Sequence, residues 1–340
     1  MNADNSTAGG RLLATLLLLA AVCMAAVYFS SGAATLSSDE TLASLDISAR
    51  LENGFGILAS DTASEVFSLP KIYHLPVDDS PASPAIEECY RKETIDGVDY
   101  DIYEDQSITV KVWRERWRGT TINLAEITIS SPTQLRSGFA GGSYSATVRD
   151  TPLNIARSCN AIVAVNADFA NYRTSGLVLR QGKLYRAADS AWDTLLIDSV
   201  GDMHTARCRS VINDGTLDDM DIWNAFTFGP ATISGGQISI TNGLPLPTHG
   251  TPEPRTSIGQ LGELHYLLAT CDGRAENSPG LTVYGMAEVM LEHGCQTAYN
   301  LDGGHSTTMV FHNKVYNHVA YGGQRTMSDI IYFGSSVPAD

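Results

Sequence analysis

From residue 98 onward the chain is written in short runs of alternating apolar and polar residues, rich in β-branched side chains and cut by glycine-bearing turns. Such a pattern builds sheet, because period-two alternation and β-branching suit a pleated surface. The clearest runs are Ile108-Thr-Val-Lys-Val-Trp113 and Thr121-Ile-Asn-Leu-Ala-Glu-Ile-Thr-Ile129, separated by a polar turn containing Gly119. Further strands are predicted at 161–165, 177–179, 195–198, 231–233, 266–270, 297–301, 308–311 and 330–333. One helix stands out. After Thr282, a good N-cap, apolar residues fall at Val283, Met286, Ala287, Met290 and Leu291, and Gly294 ends the stripe. The expected fold class is α+β, a single mixed-sheet domain with few helices, over residues 98–336.

The chain before residue 98 has another texture. Residues 12–29 form an uncharged run with Arg11 before it and Asp39, Glu40 and Asp46 after it. Eighteen apolar residues are just enough for a tilted membrane helix. The positive-inside bias then places residues 1–11 in the cytoplasm and the rest of the chain outside. An uncleaved anchor over 12–30 is the favoured reading. A cleaved signal peptide is the alternative, since Ser31-Gly32-Ala33 supplies small residues near a cleavage point. Either reading exports the domain. Residues 31–97 combine acidic side chains with Pro70, Pro76, Pro81 and Pro84, and read as a spacer with a short amphipathic helix around 42–57.

Charge follows the same division. Of the formal net charge of −16, residues 35–105 carry −12 (16 acidic, 4 basic) and residues 106–340 only −4 (21 acidic, 17 basic). The overall acidity and the lack of a basic stripe argue against nucleic acid as a partner, yet the domain is nearly balanced. Its cysteines, Cys89, Cys159, Cys208, Cys271 and Cys295, show no CxxC and no Cys/His zinc spacing, so neither a disulfide scaffold nor a metal or other cofactor is expected. Cys271 and Cys295 become neighbours only if the segments carrying them pack side by side.

Four segments carry candidate chemistry. In Ala298-Tyr-Asn-Leu-Asp-Gly-Gly-His-Ser-Thr-Thr-Met309 a strand ends in an acid, two glycines and hydroxyl residues, an arrangement that sets Asp302 beside backbone amides able to hold an anion. A tight Asx turn has the same local signature. In Ala161-Ile-Val-Ala-Val-Asn-Ala-Asp-Phe169, Asn166 and Asp168 are two apart at a strand end and share a side if the chain stays extended. Arg255, in Glu253-Pro-Arg-Thr-Ser-Ile-Gly259, offers a fork that fits phosphate or carboxylate, a surface arginine being the default reading, and Thr270-Cys-Asp-Gly-Arg274 closes another strand. No GxSxG, HExxH, P-loop or GxGxxG after a strand occurs.

Taken together these segments resemble the phosphodiester glycosidase family, the uncovering-enzyme-like domains also found in exopolysaccharide-associated bacterial proteins. The family's ordered pattern of NGDF, G…G-x-L-Y-R, FGP, RTAIG, DGR, a helix after GMT, NLDGGGSSTM and N…R…DIIYF is met here in order. The matching residues are Asn166-Ala-Asp-Phe169, Gly176 to Arg186, Phe228-Gly-Pro230, Arg255-Thr-Ser-Ile-Gly259, Asp272-Gly-Arg274, Gly280-Leu-Thr282, Asn300 to Met309, and Asn317, Arg325 and 329–333. Ala167, His305 and Gly285 depart from the pattern. The resemblance implies hydrolysis of the bond between a sugar anomeric carbon and a phosphodiester, of N-acetylglucosamine-1-phosphate type, with Asp302 and Asp168 as the carboxylate pair. It also implies that Arg255 and the amides of Gly303, Gly304, His305 and Ser306 hold the phosphate, with Thr307 beside them, and that Asn166, Asp272, Arg274 and Asn300 position the sugar. A non-catalytic carbohydrate-binding or polysaccharide-assembly protein of the envelope is the alternative expectation, because His305 projects a side chain where the pattern has only backbone.

Overall fold

Alternation divides the side chains of the central strands between two apolar layers, which explains why these strands read as nearly continuous hydrophobic runs. In Thr120–Ile129, Ile122 and Leu124 enter one layer, while Ala125, Ile127 and Ile129 enter the other. In His265–Cys271 the same split sends Leu267, Ala269 and Cys271 one way and Tyr266 and Leu268 the other. The structure, a computed structural model, describes residues 79, 81–213, 220–240 and 250–338, all within one compact unit.

The largest sheet has nine strands, in the order Tyr90–Ile95, Val98–Glu104, Ile108–Trp117, Thr120–Ile129, His265–Cys271, Arg255–Gly262, Thr297–Asn300, Ala231–Ser234 and Gln237–Ile238. A second sheet runs Met203–Arg207, Asp193–Asp198, Ile222–Thr227, Gly176–Arg180, Lys183–Ala188. The third runs Lys314–Val315, Met309–Phe311, Val163–Asn166, Asp329–Phe333, Leu135–Phe139. The expected mixed-sheet α+β domain is thus rich in strand and poor in helix, and every ladder among the described strands is antiparallel. One apolar core joins all three sheets, with Val110 and Leu268 from the first, Leu195 and Phe226 from the second, and Val163 and Ile331 from the third. Burial of each such side chain is worth roughly 1.5–3 kcal/mol.

The helix forms where its stripe predicts, although Leu291 of that stripe is exposed and Val289 is buried instead. It spans Val283–Glu292, the Thr282 hydroxyl accepts from the Gly285 amide (2.9 Å), and Gly294 follows at φ +87°. Val283, Met286, Ala287, Val289 and Met290 are buried on it; Met286, Val289 and Met290 cover the far face of the nine-stranded sheet. A Cβ at Gly285 would stand 3.5 Å from the Trp117 ring, an ordinary contact, so the departure from the family pattern at this position is tolerated by the packing.

The domain begins earlier than predicted. Part of the segment assigned to the 31–97 spacer is the hairpin of Tyr90–Ile95 with Val98–Glu104, turned at Asp96 and Gly97, both at positive φ. Its charges are cross-strand partners as well as solvent contacts, Arg91 with Glu104 at 2.6 Å and Lys92 with Asp101 at 2.9 Å, so an acidic-looking stretch makes an edge of the sheet. Ser83 extends the domain further, bridging to Ser335. The apolar run 12–29 and the 42–57 helix lie outside the described residues. No helix among the described residues is long and apolar enough to cross a membrane. The five described cysteines are free; Cys271 and Cys295 share the layer beneath the helix, where burial pushes both thiols up to about 12.

Candidate active site

Sheet register brings the candidate groups to one end of the central strands. Ser257 stands opposite Asn300, and beyond that pair the Leu301 amide donates to the Thr256 carbonyl (2.9 Å), so Asp302 emerges beside Arg255. On the other side Cys271 stands opposite Arg255, and its strand runs on through Asp272-Gly273 to Arg274. Three segments within residues 255–302 therefore deliver Arg255, Arg274 and Asp302 to one mouth.

That mouth is an open cavity of about 360 Å³, lined by Asn300 to His305, Arg255 and Arg274, and also by Arg173, Trp192, Phe228, Glu253 and Arg325. Four arginines against two carboxylates leave it net positive in a chain that is net negative. Arg274 donates to Glu253 (2.6 Å) and to the Tyr321 hydroxyl (3.2 Å). Arg255 is buried, its guanidinium donating to the carbonyls of Leu281 (2.9 Å) and Thr251 (2.8 Å), and burial lowers its pKa. Arg173 packs over the rings of Phe228 (4.5 Å) and Trp192 (4.9 Å), an aromatic seat that positions a cation without neutralising it.

Asp302 is the cavity carboxylate that makes no ion pair among the described residues, Glu253 being paired with Arg274. Its Oδ1 accepts from the Gly303 amide (3.0 Å), and its Oδ2 has no hydrogen-bond partner. Burial raises its pKa, outweighing the Ser306 hydroxyl, the Arg325 charge, the Gly303 amide and the Arg173 charge, which all pull it down. Asn300 Oδ1 and Arg173 Nη1 also lack partners. Buried polar atoms are ordinarily paired, and three side chains that line this one cavity each carry an unmet polar atom.

The structure corrects several expected roles. Asp168 does not pair with Asp302: its carboxylate turns into the core, 2.7 Å from Arg180, and accepts from the Thr227 amide (2.8 Å). Arg180, 1% exposed, also binds Asp329 (3.0 Å). The extended geometry that would align Asp168 with Asn166 ends with the strand Val163–Asn166, and Phe169 follows at φ +55°. Asn166 does not line the cavity but ties three segments together. It donates to the Asp302 carbonyl (2.6 Å) and accepts from Thr256 Oγ1 (2.9 Å) and the Thr308 amide (3.0 Å). Asp272 is likewise internal, accepting from Asn123 Nδ2 (2.9 Å) and the His318 amide (3.1 Å).

The expected amide cradle is committed elsewhere. The Gly303 amide serves Asp302, the Gly304 amide donates to the Pro254 carbonyl (2.8 Å), and the Ser306 amide to the Gly303 carbonyl (3.2 Å). These bonds commit three of the four amides to the loop itself and to Pro254. The glycines are needed for the close approach, since a Cβ on Gly303 would stand 2.9 Å from the Pro254 carbonyl oxygen, and Gly304 is at φ +62°. Ser306 Oγ accepts from Arg325 (3.3 Å), and Thr307 Oγ1 accepts from Thr256 (3.4 Å) beneath the cavity floor. His305 is among the residues lining the cavity, its Nε2 bonded to the Gly323 carbonyl (2.8 Å) and its ring in a T-shaped contact with Tyr321.

Fold and cavity together define a class: a sheet-built domain with an arginine-lined cavity at the ends of its central strands. The sequence model of the phosphodiester glycosidase family matches residues 159–334, just over half of the chain, and the chain belongs to that family. Among curated proteins it is 29% identical over 203 residues to the SPbeta prophage-derived uncharacterized protein YomE of Bacillus subtilis (strain 168). The match covers 55% of this chain and 30% of that protein's length. Among solved structures it is similar to the zebrafish N-acetylglucosamine-1-phosphodiester α-N-acetylglucosaminidase catalytic domain auto-inhibited by its pro-peptide. There the TM-score is 0.54 and the identity 15%, over 75% of this chain and 87% of that one. A hypothetical protein from Synechocystis gives a TM-score of 0.53 at 14% identity, over 71% and 63% of the two chains. At these identities the likeness speaks to the fold.

Proposed function

We propose that the cavity hydrolyses sugar-1-phosphodiester bonds, of N-acetylglucosamine-1-phosphate type, in surface glycopolymers or exopolysaccharide. The observation that carries this reading is the unpartnered Oδ2 of Asp302 on a cavity lined by four arginines. A departing phosphodiester is a far better leaving group than a sugar alkoxide, so the site needs charge stabilisation more than it needs a strong acid. Arg173 and Arg325 meet the phosphate, with Arg255 and Arg274 completing the positive wall. Asp302, whose basicity is raised by burial, activates water or attacks the anomeric carbon. Glu253 holds Arg274 in place, and Asn300 offers its unmet Oδ1 to a sugar hydroxyl. In this reading the domain works outside the cell, either held at the membrane through residues 12–29 or released if that segment is cleaved.

The test is incubation of the full chain with UDP-N-acetylglucosamine and with a phosphodiester-linked glycopolymer, following released reducing sugar. Turnover of either substrate is the expected result. Measurable binding with no turnover under any condition would support the carbohydrate-binding alternative, with His305 in the third-glycine position closing the reaction geometry.

A further inference from the structure

Beside the cavity a second positive site is built around Arg149 and Tyr172, which the proposed chemistry does not use, and it shares Arg325 with the cavity. The guanidinium carbon of Arg149 lies 4.9 Å from the Phe169 ring centroid and 6.0 Å from that of Tyr172; that of Arg325 lies 4.9 Å and 5.9 Å from the same two rings. Both charges are thus gathered around one stacked aromatic pair, with ring centroids 5.1 Å apart. Arg149 is exposed and forms no ion pair among the described residues, and Tyr172 is 65% exposed beside it.

The pair is held by the backbone. Asp150, next to Arg149, exchanges amide bonds with Met327, two residues after Arg325 (3.0 and 2.7 Å). Asn171 Nδ2 donates to the carbonyls of Ser145 (3.1 Å) and Val148 (3.0 Å), pinning the Arg149 loop to the turn that carries Tyr172. Two cations fixed near each other, with an open aromatic face alongside, are suited to an anion attached to a sugar: guanidinium to phosphate, ring to the apolar face of the pyranose. Since Arg325 also lines the cavity, it joins the two sites.

We propose that Arg149, Arg325 and Tyr172 form a second subsite that takes the phosphate and sugar of the neighbouring repeat unit, so that the preferred ligand is an internal link of an anionic phosphodiester-linked glycan. The proposal rests on the reading of the cavity as a sugar-phosphodiester site, and its test separates the two. Affinity of the full chain is measured by calorimetry for fragments of such a glycan carrying one and two phosphodiester links. The two-link fragment binds about tenfold or more tightly, the preference shrinks as salt rises, and Arg149→Gln and Tyr172→Ala each reduce it severalfold in folded protein. Equal affinity for the two fragments, or a preference that survives both substitutions, would overturn the subsite. Preference without hydrolysis of either fragment supports the subsite and overturns only the hydrolytic reading; no binding of either fragment overturns both.

Discussion

Asn166 Nδ2 donates to the backbone carbonyl of Asp302 at 2.6 Å, so the residue expected to touch a sugar instead fixes the residue expected to act on it. The same side chain receives Thr256 Oγ1 and the Thr308 amide through Oδ1. One amide therefore locks the strand before the cavity, the loop within it and the strand after it. Asn166→Ala leaves those buried groups unpaired and is predicted to cost about 1–3 kcal/mol of stability. It also lowers kcat more than it raises KM, because Asp302 loses its fixed position. Denaturant unfolding and steady-state kinetics on one preparation check both effects.

Arg173 carries a charge seated on Phe228 and Trp192 with an unpartnered Nη1. Its truncation to Ala removes a preorganised cation from the cavity without breaking an ion pair among the described residues. A loss of about 10²–10³ in kcat/KM is predicted, on the scale of removing one donor to a developing anion. An Arg173→Lys variant recovers part of it. Full activity in Arg173→Ala would remove this residue from the phosphate site.

The buried Asp168–Arg180–Asp329 group is predicted to make stability fall as pH rises. Two carboxylates share one guanidinium, and burial pushes the Asp168 carboxyl up to about 7, with the Asp329 charge adding to the rise against the attraction of Arg180. A folded-state pKa above the unfolded value near 3.8 contributes stability that is present at low pH and lost as pH climbs through about 7. Asp168→Asn removes that dependence, so the stability advantage of the wild type over the variant shrinks between pH 4 and pH 8. An advantage that grows with pH contradicts this account.

Legibility in the sequence followed locality. The helix Val283–Glu292 and the loop from Asn300 to Met309 were readable because their cap, stripe and glycines lie within a few residues. The hairpin turned at Asp96-Gly97 was hidden by its charges, which read as spacer until their cross-strand partners are seen. The shared side of Asn166 and Asp168 requires an extended chain, and the strand ends at Asn166, so the carboxylate that the resemblance pairs with Asp302 turns into the core. Trp192 carries no local signal, and only the packing of distant segments brings it to the cavity; Glu253 comes with its near neighbour Arg255. Arg173 becomes recognisable only through the two rings beneath it.

Titration of activity follows from the raised pKa of Asp302. If its carboxylate is the acting base, the rate rises with pH through that pKa, and the acid limb of kcat/KM has its midpoint above the ordinary carboxylate value of about 4. A midpoint at or below 4 contradicts the burial argument.

The most direct measurement is the initial rate of release of reducing sugar from a sugar-1-phosphodiester by the wild type and by Asp302→Asn, each verified as folded. The account predicts turnover by the wild type and a loss of about 10²–10⁴ in kcat for the variant, the range attributed to a positioned general base. An Asp302→Asn protein that hydrolyses the substrate at the wild-type rate would show that the carboxylate at the end of the central strands is not the one that does the chemistry.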